Sequence, residues 1–285
     1  MQPEKKIARR CLLLVFLSCL FFSPAAAQEP KELTLWVHPF MQATELVKRF
    51  TPLANYLAAE LKLPVHVRVQ SSYQSHLDFV GQDQADLAYV GPATYVLLRK
   101  KYGPKPLLAR VEEKGASFFH GVIIVRQDSP VTTFAQLKGK SFAFGDTNST
   151  MGHIVPRAML AEAGVDVNQL GRYEFLSSHE NVALAVLNGY FDAGGVRDEF
   201  FAEYEPQGLR ALATSPPMPE HLFLARSTLP APLIERLRVL LCAVDSRPGK
   251  KELLTAIKKT ATALVPAAPQ DYDTLERLIG SGASE

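Results

Sequence analysis

Short apolar runs alternate with stretches of helical periodicity along this chain, and the rhythm runs twice. Strand–helix–strand units of this kind close as a parallel sheet covered by helices, so the pattern restricts the fold more than composition does. In the first half, residues 32–37 read as a strand ended by His38-Pro39. Leu46, Phe50, Leu53, Tyr56, Leu57 and Leu61 then keep three-to-four spacing up to Pro64. Residues 65–69 alternate as a second strand, Ser71-Ser72-Tyr73 opens a helix, and 86–90 form a third strand before a helix over 93–101. Two further strands are predicted at 106–110 and 121–126.

The rhythm restarts after Asp128-Ser129-Pro130. A short helix at 134–137 leads to a strand at 141–144 and a helix reaching Ala163. A strand at 173–176, a helix over 180–188 and a strand at 192–196 follow. Strands at 209–213 and 222–225 finish this half. Helices are predicted at 233–241 and 251–264, with a short one after Gln270. The spacing predicts an α/β protein of two lobes. Residues 28–125 and the returning segment 226–285 would form lobe 1, and 126–225 lobe 2.

One stretch has the geometry of an anion cradle: Gly145-Asp146-Thr147-Asn148-Ser149-Thr150-Met151-Gly152-His153-Ile154-Val155-Pro156. A buried strand enters it and a helix leaves it. The first turn of a helix has unpaired N–H groups and a partial positive charge, and the hydroxyls of Ser149 and Thr150 lie beside them. An ordinary helix cap would need the same residue types. Asp146 is expected to order its own loop, since a carboxylate repels an anion. Polar clusters also follow strands at Ser71-Ser72-Tyr73, Tyr89, Thr94-Tyr95, Ser177-Ser178-His179 and Arg197-Asp198, where open α/β sheets bind ligands.

The first 27 of the 285 residues read as a secretory leader. Lys5, Lys6, Arg9 and Arg10 precede an apolar run, and Ala25-Ala26-Ala27 supplies a cleavage site before Gln28. The leader holds four of the 31 basic residues and one of the 29 acidic ones, so the remaining chain carries a net charge near −1. That balance argues against nucleic acid and against a polybasic membrane patch. Cys11 and Cys19 leave with the leader. Cys242 then stands alone in an apolar run, and the exported protein depends on its core instead of disulfides. The seven histidines show no HxH or HxxxH spacing, so no metal is expected. No Gly-x-Ser-x-Gly elbow is present, and neither catalysis nor a cofactor is predicted.

With these residues in view, the chain resembles the phosphonate-type periplasmic substrate-binding proteins, the solute receptors of ABC importers. The likeness runs from about Leu33 to Val244. It is carried by Ala88-Tyr89-Val90-Gly91-Pro92, the 146–156 stretch, His179-Glu180-Asn181-Val182-Ala183-Leu184-Ala185-Val186 and Asp192-Ala193-Gly194-Gly195-Val196. The resemblance implies the type II binding-protein fold, with two lobes joined by crossing strands that close on a ligand. It also implies that Ser149 and Thr150 grip an oxyanion, that His179 donates to it, and that Tyr73 lies over it. Tyr89 and Thr94 would form the first-lobe wall, and Asp198 or Glu199 would read a ligand amine.

Several residues depart from that family's pattern. Phe119 stands where a ligand-touching tyrosine is expected, Met151 replaces a serine, and His153 replaces an apolar residue. Arg197 beside Asp198 would neutralise the amine reader. These departures weigh against an aminoalkylphosphonate and leave phosphite, phosphate, a simple alkylphosphonate or another small oxyanion open. The resemblance implies a monomer that hands its ligand to an inner-membrane ABC permease. The alternative is a ligand sensor that partners a membrane kinase or chemoreceptor.

Overall fold

The structure, a computed structural model, describes residues 30–246 and 251–280. The leader expected at 1–27 lies outside the described residues. In chain order the first half holds β1 (Leu33–Val37), α1 (Ala43–Leu61), β2 (Val65–Val69), α2 (Tyr73–Gly81), β3 (Leu87–Val90), α3 (Pro92–Tyr102) and β4 (Leu107–Glu112). Then come β5 (Phe118–Phe119), β6 (Gly121–Arg126), β7 (Ser141–Phe144), α4 (Val155–Glu162), β8 (Arg172–Phe175), α5 (His179–Leu187) and β9 (Ala193–Arg197). The chain ends with α6 (Asp198–Tyr204), β10 (Leu209–Thr214), β11 (Met218–Pro219), β12 (Leu222–Ala225), α7 (Ala231–Cys242), α8 (Lys251–Ile257), β13 (Ala263–Val265) and α9 (Asp273–Gly280).

Local chemistry accounts for many of these boundaries. Ser72 caps α2 by accepting from the Ser75 N–H, and Ser75 returns a bond to the cap, as the Ser-Ser-Tyr signal anticipates. Ser178 caps α5 by accepting from the Asn181 N–H. Gly91 and Pro92 open α3, where proline's missing N–H costs nothing.

Two sheets result, ordered β13-β4-β12-β3-β1-β2 and β10-β6-β9-β7-β8. Each has the anticipated parallel core: β1 pairs in parallel with β2 and β3, and β7 with β8 and β9. The antiparallel members are the strands next to the crossings. β12 inserts between β3 and β4, while β6 pairs with β9 and β10.

These insertions move the expected division of the chain. β6 was assigned to the first lobe and belongs to the second sheet; β12 was assigned to the second lobe and belongs to the first. Both are apolar runs (β6 up to its last residue, Arg126), and an apolar run fits the centre of either sheet, so only the partner strands decide. The crossing segments pair as β5 with β11, through Met218 opposite Phe119. Backbone bonds from Ser215 N–H to Gly121 O (2.8 Å) and from Glu220 N–H to Ser117 O (3.0 Å) extend that contact.

The helix expected over 251–264 also differs. It stops at Ile257, and residues 263–265 add an antiparallel edge to β4, burying Leu264 at the cost of helical continuity. A helix at Asp198–Tyr204 carries no sequence signal beyond its acidic first turn.

The lobes touch through side chains as well as strands. Met151, Ile154 and Val155 join one apolar cluster with Ala93, Val96 and Phe119, so the segment after β7 packs against α3 of the other lobe.

Candidate ligand site

A narrow cavity of about 10 Å³ lies between the lobes, walled by His38, Tyr73, Gly91, Phe119, Ser149, Thr150, Met151, His179, Arg197 and His221. That is room for about one water molecule, far below the roughly 300–1,000 Å³ of ordinary small-molecule pockets, so the lobes are closed on each other here. Its residues sit at strand ends. His38 follows β1, Gly91 follows β3, Ser149 to Met151 follow β7, His179 opens the helix after β8, and Arg197 ends β9. His221 comes just before β12, which runs the opposite way and so brings its beginning to the same side.

The cradle stretch folds tightly for a local reason. Ser149 Oγ accepts from the Gly152 N–H at 3.0 Å, and the Gly145 N–H donates to Gly152 O at 2.7 Å. A carbon added to Gly152 would lie 2.8 Å from Ser149 Oγ and 3.1 Å from Gly145 Cα, so glycine is required there. Thr150–Ile154 form a single π-type turn, a form frequent at functional sites. Asp146 orders its own loop, as expected, by accepting from the Asn148 N–H at 2.8 Å.

Thr150 Oγ1 reaches across the lobes and accepts from the Ala93 N–H at 3.0 Å, in the first turn of α3. Asn148 Nδ2 donates to Gln74 Oε1 at 3.0 Å beside it.

Arg197 dominates the electrostatics. It is 3% exposed, with its guanidinium carbon 5.5 Å from the Phe40 ring and 5.4 Å from the Phe119 ring. Nη2 donates to Glu199 Oε2 at 3.2 Å, while Nε and Nη1 are buried without a partner. Burial works against the charge, but Glu199 and Glu220 outweigh it, and the guanidinium stays ionised.

Three histidines line the same space. His38 has both ring nitrogens buried and unpartnered, and His179 has Nδ1 in that condition. Burial, then the neighbouring His221, pushes the His38 pKa well down. Burial and Arg197 lower His179 to about 3. His221 is lowered to about 4 by burial and Arg197, with Glu220 pulling it upward. At neutral pH these rings are uncharged. Burial also raises the Tyr73 phenol, which stays protonated as a donor.

The wall therefore offers one guanidinium with two unpartnered nitrogens, neutral imidazoles and hydroxyls, and no carboxylate. Buried polar groups without partners are rare and costly, and donors left open around a cavity suit a compact anion.

Comparison with known proteins agrees. The profile of the family described as ABC transporter, phosphonate, periplasmic substrate-binding protein matches residues 35–272. The chain belongs to that family. It is 24% identical to the phosphate-import protein PhnD of Mycolicibacterium smegmatis, over 92% of this chain and 89% of that one. It is 26% identical to a probable ABC transporter phosphite binding protein, PhnD1, of Prochlorococcus marinus, over 65% of each chain. The fold matches the solved structure of PhnD1 from Prochlorococcus marinus in complex with methylphosphonate. The TM-score is 0.80 at 20% identity, covering 89% of this chain and 98% of the other. A binding-protein component of an ABC phosphonate transporter from Pseudomonas aeruginosa gives a TM-score of 0.78 at 20% identity, covering 88% and 86%.

Membership makes this a periplasmic receptor of ABC-type transport, in a family of binding proteins and not of enzymes. Against that family's expected pattern, Tyr73, Ser149, Thr150 and His179 all reach the cavity wall, as do Phe119, Met151 and Arg197. Tyr89 stands one layer behind, stacked on His221 with centroids 5.5 Å apart. Thr94 is buried in the first turn of α3, off the wall, with Oγ1 unpartnered.

Two expected residues lie elsewhere. Asp198 is turned to backbone: its oxygens accept from the His120 N–H at 3.0 Å and the Glu199 N–H at 2.9 Å. It holds the crossing to α6 and lies off the cavity wall. His153 bonds through Nδ1 to Thr147 O at 2.7 Å and packs edge-on to Phe144 and Phe175, away from the cavity.

Sequence reasoning missed His38 and His221. For His38 a signal existed, since it directly follows a central strand. For His221 none did, because its position depends on the return crossing.

Proposed function

We propose that the protein captures a small tetrahedral phosphorus oxyanion (phosphite, phosphate or a simple phosphonate) in the periplasm and delivers it to an ABC permease. The observation that carries this reading is the buried Arg197, whose Nε and Nη1 have no partner, on the wall of an inter-lobe cavity that has no carboxylate around it. In this reading Arg197, His179, Ser149, Thr150 and Tyr73 grip the oxygens, and His38 and His221 complete the shell. Residues from both lobes touch one anion, so binding favours the lobe-to-lobe contacts made by Thr150 and Met151. The position of Asp198, bonded to backbone off the cavity wall, sets it against an aminoalkyl ligand. Export through a leader cleaved after Ala27, and action as a monomer, belong to the same proposal.

Titration calorimetry on protein stripped of ligand by unfolding and refolding tests it. The panel is phosphite, phosphate, methylphosphonate, 2-aminoethylphosphonate, sulfate and an unrelated amino acid. At least one of the first three should bind tightly, and Arg197→Met should abolish the heat. Silence toward every phosphorus compound would end this reading.

A further inference from the structure

The ring of His221 stands between a buried carboxylate and the cavity. Its Nδ1 is 3.1 Å from Glu220 Oε2. The opposite corner of the ring, Nε2, is at the cavity wall, 3.6 Å from where a carbon on Gly91 would lie. Glu220 has no exposed surface. Its Oε2 also accepts from the His221 backbone N–H at 2.9 Å, and its Oε1 accepts from Lys258 Nζ at 2.5 Å. Lys258 is shared with Glu113 Oε2 at 2.9 Å. Burial opposes ionisation of Glu220, but the bond from His221 and the charges of Lys258 and Arg197 hold its carboxyl below the usual range. An ionised carboxylate only accepts, so His221 Nδ1 carries the proton. The neutral ring then presents the Nε2 lone pair to the cavity.

The groups facing this ring are few. Besides Glu220 and Lys258, they are Arg197 and His179 from the second lobe, His38 at 5.2 Å between centroids, and Tyr89 stacked behind. Among the wall residues Arg197 is the single cation, and Glu199 already shares its charge. A dianion would bring excess negative charge into a closed space and set an oxygen lone pair against the one on Nε2. A monoanion bearing one P–O–H group matches both features.

Resting on the oxyanion reading above, we infer that the site takes the singly charged, monoprotonated phosphorus oxyanion, with His221 Nε2 accepting the hydrogen bond from its P–O–H. The proton count is the same whether that proton rests on oxygen or on Nε2. Sulfonates have the same shape and charge but no proton at neutral pH, and the site rejects them through the unmatched lone pair.

Methylphosphonate and methanesulfonate are the paired probes, titrated by calorimetry into the ligand-stripped protein at several pH values and in buffers of different ionisation heat. Methylphosphonate should bind at least about 10- to 100-fold tighter than methanesulfonate, the range for one unpaired buried acceptor. Above the ligand's second ionisation its affinity should fall about tenfold per pH unit, with one proton taken up per molecule bound. His221→Gln can turn a donor or an acceptor to the cavity, so the preference should narrow by about tenfold in protein that still melts cooperatively. Comparable affinity for the two probes in the unaltered protein, or binding without proton uptake above that ionisation, would overturn the inference while leaving the anion site intact. Failure of phosphite, phosphate and methylphosphonate alike would instead sink the functional reading beneath it. The unaltered protein decides both points even if the variant does not fold.

Discussion

Gly91→Ala separates the cavity from the stability of the fold. The residue adopts φ −73° and ψ 156°, a conformation open to alanine and suited to the position before Pro92. A methyl carbon there would lie 3.5 Å from His38 Cε1, 3.6 Å from His221 Nε2 and 3.8 Å from Thr150 Oγ1, ordinary contacts that force nothing to move. Its effect on stability is a near balance. Stiffening the unfolded chain contributes about 0.4–1 kcal/mol. Losing glycine at the helix cap costs a similar amount, at most about 1 kcal/mol, because the N–H of Ala93 is already bonded to Thr150. The melting temperature should therefore stay within about 3 °C. Binding is another matter, because the methyl projects among three residues of the cavity wall where the proposed ligand would sit. Overpacking of this kind costs about 1–3 kcal/mol, or about 5- to 150-fold in affinity for phosphite or methylphosphonate. Calorimetry and thermal melting on the same sample read both quantities. Unchanged affinity would show that the ligand lies elsewhere, and a fall of several degrees would show that the backbone reasoning is wrong.

Thr150→Val removes the acceptor for the Ala93 N–H only when the lobes are together, since that group is hydrated when they part. Affinity should drop about 5- to 150-fold from a cost of about 1–3 kcal/mol, while Thr150→Ser stays within about threefold; a valine variant that binds like the parent refutes the contact. Acid should destabilise the protein unusually early. Burial lowers His76 and His179 to about 3 and His221 to about 4, so below pH 6.5 the unfolded chain binds protons that the folded one refuses. Stability is full above that value and is lost as pH falls from 6.5 toward 3–4, by up to about 1.4 kcal/mol per pH unit for each ring. Urea unfolding at pH 7, 6 and 5 measures the slope, and a flat profile would contradict the buried neutral rings.

Much of the fold was legible because its signals are local. Alternation in 65–69, the helix opening at Ser71-Ser72-Tyr73 and the strand–turn–helix at 141–156 each act within a few residues, and each formed as read. The failures share a cause. β12 and the body of β6 (residues 121–125) are apolar, so nothing in them says which sheet they enter. Leu264 is equally at home on a helix face or a sheet edge. Asp198 looked like a ligand group until its oxygens met the backbone of His120 and Glu199.

By itself the sequence determined two α/β units, the cradle at Ser149 and Thr150, and the family. Only the tertiary structure decided the chemistry of the cavity. It took two chain crossings to set Arg197, His38, His179 and His221 around one space and Glu220 behind it. Charge state and tautomer follow from burial and from partners distant in sequence. No local pattern of residues contains either.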